Sequence, residues 1–499
     1  MNIKHNKQDR LPTNTSCIPS TPDIGQANPE FKVAIIGGGF CGSTALINIL
    51  KILIERQRSA QTTPKLLIDW YDQDGHFGRG LAYQNQKSKN DDRVLILNQP
   101  ARLMSPFSAE PDHYVRWLSS HHPEYSADSF TPRAIFGEYL LDTVKQLEKA
   151  ATSSGALFEI RRIHARVEDP RYLGLDNSLS RDGTINTSSP VILATGHAKA
   201  DQFSAFHGNS LYIDEPFNIA RYRSVELAHI SHVIIVGGGP SSMDAIRTLE
   251  EIGCQGRYII AASRSSPPWP FHPRLYSSES FVEFKPRHLV PENIPENPSL
   301  RLLHRLLGRE IRQARRTGFG CGHALYGIPL AEISAILDRS EDTVAARQFG
   351  ELLAFLRGNI TAPENVALRS HLRGRGRLTF ARGYAESADS CFNQDTGQFA
   401  IQIRHRSGRR SMTHGELLIN CAQYPRSRNQ SLDRDEKPNR FSEHQVIPVG
   451  PALLKNGAVP RTWGVESFRD EVRDAAKKAF RLALQRVGTI QSDISEPRL

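Results

Sequence analysis

The segment FKVAIIGGGFCGSTALINIL, residues 31–50, limits the fold more than any other stretch of the chain. Its apolar length would suit a membrane-spanning helix, which takes about 20 such residues. Three successive glycines, Gly37, Gly38 and Gly39, argue against this, because each costs a continuous helix about 1 kcal/mol. Residues 33–36 read instead as a buried strand, the glycines as a tight turn and residues 43–50 as a helix. Gly37, Gly39 and Gly42 then satisfy GxGxxG. In that pattern the first glycine allows the turn, the second lets backbone approach a diphosphate, and the third lets helix pack on strand. Backbone N–H groups from Phe40 to Ser43 would hold the anion at the helix N-terminus.

A second copy follows at HVIIVGGGPSSMDAIRTLEEIGCQGRYIIAASR, residues 232–264, with Gly237, Gly239 and Ser242 between an apolar strand and an amphipathic helix. Pro240 falls at the first helical position, where its missing N–H is tolerated. The strands that follow the two helices end differently. LLIDWYD closes on Asp72, a carboxylate placed to accept ribose hydroxyls, although it lies 30 residues past Gly42 and compact units need only about 20. RYIIAAS closes on Ser263 and Arg264 without an acid. Arg264 either pairs with a 2′-phosphate, which Asp72 would repel, or stands solvated at the strand end; in the first case the second unit is expected to prefer NADP over NAD.

A chain of 499 residues is expected to hold two or more domains. Its six cysteines show no metal-ligand or disulfide spacing, which predicts neither a zinc site nor a disulfide framework. Residues 1–30 are polar, without the apolar core of a secretory signal, and are expected to form a disordered leader of a cytoplasmic protein. The net charge of +10 comes from 63 Lys and Arg spread among 53 acids, without the aromatic-basic stripe of single-strand binders. Nucleic acid is therefore not an expected partner, nor is an integral membrane span; the expected partner is a small-molecule substrate. The oligomeric state is not readable from the sequence.

Paired cradles, the second some 200 residues after the first, resemble two-dinucleotide-binding flavoproteins. More narrowly, GFCG, GRGLAY, LNQPARLMSPF, PDHYVRWL and FTPRAIFGEYL between residues 39 and 140 resemble consecutive blocks of a bacterial FAD/NAD(P)-binding family. That family is distantly related to N-hydroxylating and Baeyer–Villiger flavin monooxygenases. VILATGH and LLINCAQ resemble its strands at the domain crossings, and VGP followed by TWGVESFRDEVRDAAKKAF resembles its closing segment. The resemblance implies FAD at the first cradle and NADPH at the second. It also puts Gly196 and Gly450 beside the cofactor, while Asn98, Gln99 and Pro100 form either a loop over the flavin or a plain connecting loop. Two departures stand out: Leu103 precedes Met104 where the family has arginine, and FHGNSLYIDEP resembles the Baeyer–Villiger fingerprint at Phe206, Gly208 and Pro216 but has Tyr212 in place of its histidine.

Other residues carry weaker signals. Gly78 and Gly80 bracket Arg79, either a phosphate or flavin partner or a solvated turn residue. Asp244 and Arg247 face either cofactor or solvent, and His197 either the crevice or the surface. PPWPFHPR could wall a pocket or simply pack as a rigid loop. RLLHRLLGREIRQARR sets Arg301, Arg305, Arg309, Arg312 and Arg316 on one helical face, either an anion-attracting surface or a solvated one. The expected architecture is α/β, with two Rossmann-like dinucleotide-binding domains, the second inserted in the first. Residues 31–200 and 415–490 would form the FAD-binding domain, 201–297 and 359–414 the NAD(P)-binding domain, and 298–358 a helical insertion. The expected function is an NADPH-using FAD oxidoreductase, specifically a monooxygenase of a small amine or other soft nucleophile, with no catalytic side chain assigned. The alternatives are a flavin dehydrogenase or reductase that does not activate oxygen, and a non-catalytic nucleotide-binding regulatory protein.

Overall fold

A computed structural model of the chain describes residues 30–61, 63–85, 90–167, 189–196, 201–262, 269–270, 284–422, 446–449 and 465–485. The expected leader lies outside them except for Glu30, as do His197, Arg264, Gly450 and most of PPWPFHPR.

Two parallel sheets organise the molecule. The first is built from β1 (Glu30–Ile36), β2 (Lys65–Asp72), β3 (Phe158–His164), β4 (Val191–Leu193) and β15 (Val446–Pro448), in the order β15-β4-β1-β2-β3. Val33 and Ile35 face one core, with the helices α1 (Phe40–Arg58), α3 (Arg133–Ser153) and α11 (Val465–Gln485), while Ala34 and Ile36 face the other side. This double burial explains why β1 is a near-continuous apolar run and not an alternating one. A shorter helix, α2 (His113–His121), adds Tyr114, Trp117 and Leu118 to the α1 side.

The second sheet contains β5 (Tyr212–Ile213), β6 (His232–Val236), β7 (Arg257–Ala262), β10 (Leu378–Arg382) and β14 (Leu417–Asn420), in the order β10-β7-β6-β14-β5. Val233 and Ile235 pack with α5 (Pro240–Glu251) and α10 (Pro363–Gly374). Ile234 and Val236 pack instead on an antiparallel sheet of β11 (Tyr384–Asn393), β12 (Gln398–Arg404) and β13 (Arg410–Gly415). The short helix α4 (Ile219–Arg223) connects β5 to this unit.

Residues 415–422, expected in the first unit, belong to the second. Strand β14 pairs with β6 from Leu417↔Val233 to Asn420↔Val236, and the chain rejoins the first sheet only at β15. The reason is positional: LLIN fills the slot beside β6 that β4 fills beside β1.

Between β7 and β10 the chain forms α6 (Leu300–Arg316), α7 (Cys321–Gly327), α8 (Leu330–Asp338) and α9 (Thr343–Gly358), after β8 (Trp269–Pro270) and before β9 (Ile360–Thr361). Leu303, Leu306 and Leu307 of α6 are buried in a separate helical core, and all five arginines of the stripe are exposed. On the buried face, Glu310 accepts the backbone N–H groups of Arg287, His288 and Leu289 at 2.6 to 3.1 Å. Leu103 and Phe130 of the first unit pack against this core. The departure at Leu103 thus has a packing role, while Arg102 turns away to pair with Asp128.

Candidate functional site

The order of the first sheet reverses between β1 and β4, and ligands bind open α/β sheets in the crevice outside the strand ends at such a point. Gly37 sits there with φ of +118°, and a Cβ on it would lie 2.2 Å from the Ala194 carbonyl oxygen. Gly39 caps α1 without a side-chain bond. The helix then begins at buried Phe40, whose ring stacks on Phe136 with centroids 6.1 Å apart. Any side chain at Gly42 would bring its Cβ to 1.9 Å from the Gly37 oxygen. That carbonyl is held by the Trp70 indole at 2.9 Å, so helix, turn and β2 lock together.

Asp72 is at this turn. Its Oδ2 accepts the Gly38 N–H at 2.7 Å, and its Oδ1 accepts those of Asp74 and His76 at 3.0 and 2.8 Å. A carboxylate has about four lone-pair sites, so capacity remains for ribose hydroxyls. Gly80 closes the other wall: with φ of +56°, a Cβ there would lie 2.6 Å from the Gly39 Cα. Two buried polar atoms of these walls have no partner among the described residues, Arg79 Nε and Thr195 Oγ1. Gly196 follows with φ of +65° and open space where a Cβ would stand. A glycine cradle, the N–H groups of a helix start, a ribose-competent carboxylate and orphaned donors suit the diphosphate and ribose of a dinucleotide. The Cys41 thiol beside the cradle is fully buried, and burial together with Glu471 pushes its pKa up, so it remains a neutral thiol.

The second sheet repeats this plan between β6 and β14. Gly237 has φ of +100°, and a Cβ on it would lie 2.8 Å from the Ala422 nitrogen, as Gly37 abuts Ala194. Gly239 caps α5 with extended backbone, and Pro240 opens the helix. Ser242 stands where the first unit has Gly42, and its hydroxyl donates to the Gly239 oxygen at 2.6 Å. In the first cradle it is Ser43, one position further on, whose hydroxyl donates to the Gly39 oxygen, at 2.8 Å.

The sequence did not reveal how the units are joined. Asp244 is fully buried and Arg247 half-buried, and each is bonded to another element. Arg133 at the start of α3 donates from Nη2 to Asp244 Oδ2 at 2.7 Å and from Nε to the Ile96 oxygen at 3.0 Å. Burial raises the Asp244 pKa against the opposing charges of Arg133 and Arg247. One turn on, Arg247 donates from Nε and Nη2 to Asn365 Oδ1 at 3.0 and 2.8 Å. Asn365 Nδ2 donates to Thr361 Oγ1 at 2.9 Å, and Thr361 donates to Asn98 Oδ1 at 3.0 Å. A chain of hydrogen bonds therefore runs from the helix behind the second cradle to the 97–107 loop of the first unit. The one signal in the sequence was a paired Asp and Arg one turn apart on a helix whose start already carries a cradle. Tyr212, the departure from the Baeyer–Villiger pattern, is buried in β5 and accepts from Asn420 Nδ2 at 3.3 Å.

Fold and crevices together define an α/β protein with two dinucleotide-binding units. Residues 34–198 match a family of FAD-NAD(P)-binding proteins, a span that takes in the first glycine turn, β2, the 97–107 loop and β4. No curated protein matches the chain. Among solved structures, it is similar to an ornithine hydroxylase from Pseudomonas aeruginosa, with 14% identity over 92% of this chain and 100% of that one, at a TM-score of 0.46. An ornithine N-hydroxylase from Kutzneria sp. 744 gives 11% over 92% and 100%, also at 0.46. A cadaverine monooxygenase from Erwinia amylovora gives 14% over 92% and 95%, at 0.42. Among the described residues no helix is long and apolar enough to cross a membrane, and no group of three His, Cys, Asp or Glu is placed to hold a metal ion.

Proposed function

We propose that this chain is an FAD-dependent, NADPH-using oxidoreductase acting as a monooxygenase on a small amine or other soft nucleophile. The observation that carries the reading is the pair of crevices with unlike chemistry on one chain: a carboxylate at the end of β2, none at the end of β7, and a family match to FAD-NAD(P)-binding proteins over the first. The monooxygenase part rests on the sequence blocks between residues 39 and 140.

When bound, flavin supplies the redox chemistry, and the protein supplies position, electrostatics and exclusion of water. The start of α1 and Gly37–Gly42 would bind the FAD diphosphate, with Asp72 orienting the ribose while it keeps the turn closed through Gly38. Gly237, Gly239 and the start of α5 would bind the NADPH diphosphate. Arg133, Asp244, Arg247, Asn365 and Thr361 hold that helix against the first unit and would so position a bound nicotinamide dinucleotide relative to the flavin.

The test is the absorbance of purified, FAD-loaded protein. Bound yellow flavin bleached by NADPH without air supports the oxidoreductase reading; colourless protein that cannot be loaded would sink it. In air, an amine that accelerates NADPH oxidation and returns as a hydroxylated product supports the monooxygenase. Bleaching with every amine unchanged and all oxygen recovered as peroxide favours a reductase.

A further inference from the structure

The end of β7 carries no carboxylate, and the described residues bring a different guanidinium to that edge. Strand β10 lies on β7 in parallel register, with Arg382 opposite Ala262. Register partners in adjacent parallel strands share the pleat and project to the same face. The Ala262 methyl marks that face: a Cβ on Gly238 would lie 2.8 Å from it. Arg382 therefore leaves the sheet on the side of the second glycine turn, at the strand ends where dinucleotides bind. It is exposed, and no acid among the described residues pairs with it. Its backbone is fixed from both sides. Gly383 N–H donates to the Ala262 oxygen at 3.0 Å, and His405 Nδ1 donates to the Arg382 oxygen at 2.8 Å.

The surroundings are electropositive on the same face. Arg373 of α10 lies 5.8 Å over the ring of Phe380, two residues before Arg382 in β10. Arg369, one turn back on α10, adds a second guanidinium beside Arg373; burial first and the Arg373 charge second lower its pKa. NADPH differs from NADH by one phosphomonoester, an anion that such an edge accommodates and a strand-end carboxylate would repel.

We infer that Arg382 is a specificity-determining residue of the second cradle, pairing with the 2′-phosphate of NADPH. The inference rests on reading that cradle as the nicotinamide-dinucleotide site. Nucleotide preference is then written on a strand that the chain reaches only after the helical insertion.

The test uses full-length protein and two adenosine probes in calorimetric titrations, 2′,5′-ADP and 5′-AMP. Wild type binds 2′,5′-ADP more tightly than 5′-AMP. Arg382→Gln weakens 2′,5′-ADP by tenfold or more, leaves 5′-AMP within twofold and keeps the melting temperature; Arg382→Lys retains most of the affinity. In FAD-loaded protein, Arg382→Gln raises KM for NADPH by at least tenfold at unchanged kcat, with NADH unaffected. Equal binding of 2′,5′-ADP to wild type and Arg382→Gln overturns the role of Arg382 and leaves the second cradle standing. Wild type that binds neither probe overturns the nicotinamide reading and this inference with it.

Discussion

Gly42 and Ser242 hold the same place in two glycine turns but meet different constraints. Beside Gly42 the Gly37 carbonyl leaves 1.9 Å for a Cβ, whereas Ser242 fits a full side chain and bonds back to Gly239. Gly42→Ala must push α1 off β1, and overpacking of this kind costs about 1–3 kcal/mol. We expect the variant to melt earlier and to purify with little flavin; a normal flavin-to-protein ratio would contradict the cradle. Asp69 supplies a pH-dependent contribution to the same sheet. Burial alone would raise its pKa, but bonds and charges from Arg161 and Lys32 outweigh it and the pKa is lowered. A carboxylate with a depressed folded pKa stabilises above its unfolded value and loses that contribution as pH falls through the folded one. The stability gap between wild type and Asp69→Asn should therefore be full near neutrality and close as pH drops below 3.8, the ordinary value. Denaturant titrations across that range would show it, and a gap independent of pH would refute it.

Among the elements, α5 carries the most duties. Its first residues form a cradle, its apolar face packs on β6, and its second turn presents Asp244 to Arg133. Removing one member of such a buried pair strands the other charge, typically at 3–5 kcal/mol, while replacing both by apolar groups can be neutral. Asp244→Ala should lose stability on that scale, and Arg133→Met with Asp244→Leu should recover most of it in equilibrium unfolding. If the double variant is as unstable as the single one, the pair contributes more than charge compensation. Helix α6 shows the opposite division of labour, since its arginine stripe is solvated while buried Glu310 pins residues 287–289.

At the scale of the whole molecule, the chain from Arg247 through Asn365 and Thr361 to Asn98 ties the helix behind the second glycine turn to the 97–107 loop of the first unit. Misplacement of reacting groups by about 1 Å can cost 100-fold in rate. Asn365→Ala should slow flavin reduction by NADPH about tenfold or more, with flavin content and reduction by dithionite unchanged. Stopped-flow absorbance separates these, and an undiminished NADPH step would remove the tether from the mechanism.

The two cradles, the strands before them and the arginine-faced helix were legible in the sequence because each is local: a glycine's backbone freedom, a proline at a helix start and an apolar period act within about ten residues. Leu103, Asp244, Arg247 and β14 were not legible, since their partners lie far along the chain. LLIN has the pattern of any buried strand, and only pairing with β6 assigns it to the second sheet. Sequence alone determined that this protein has two glycine turns each feeding a helix. Tertiary structure decided which strands complete each crevice, which charges are buried between the units and that Arg382 stands opposite Ala262. Burial and strand register, unlike turn chemistry, exist only when distant segments meet.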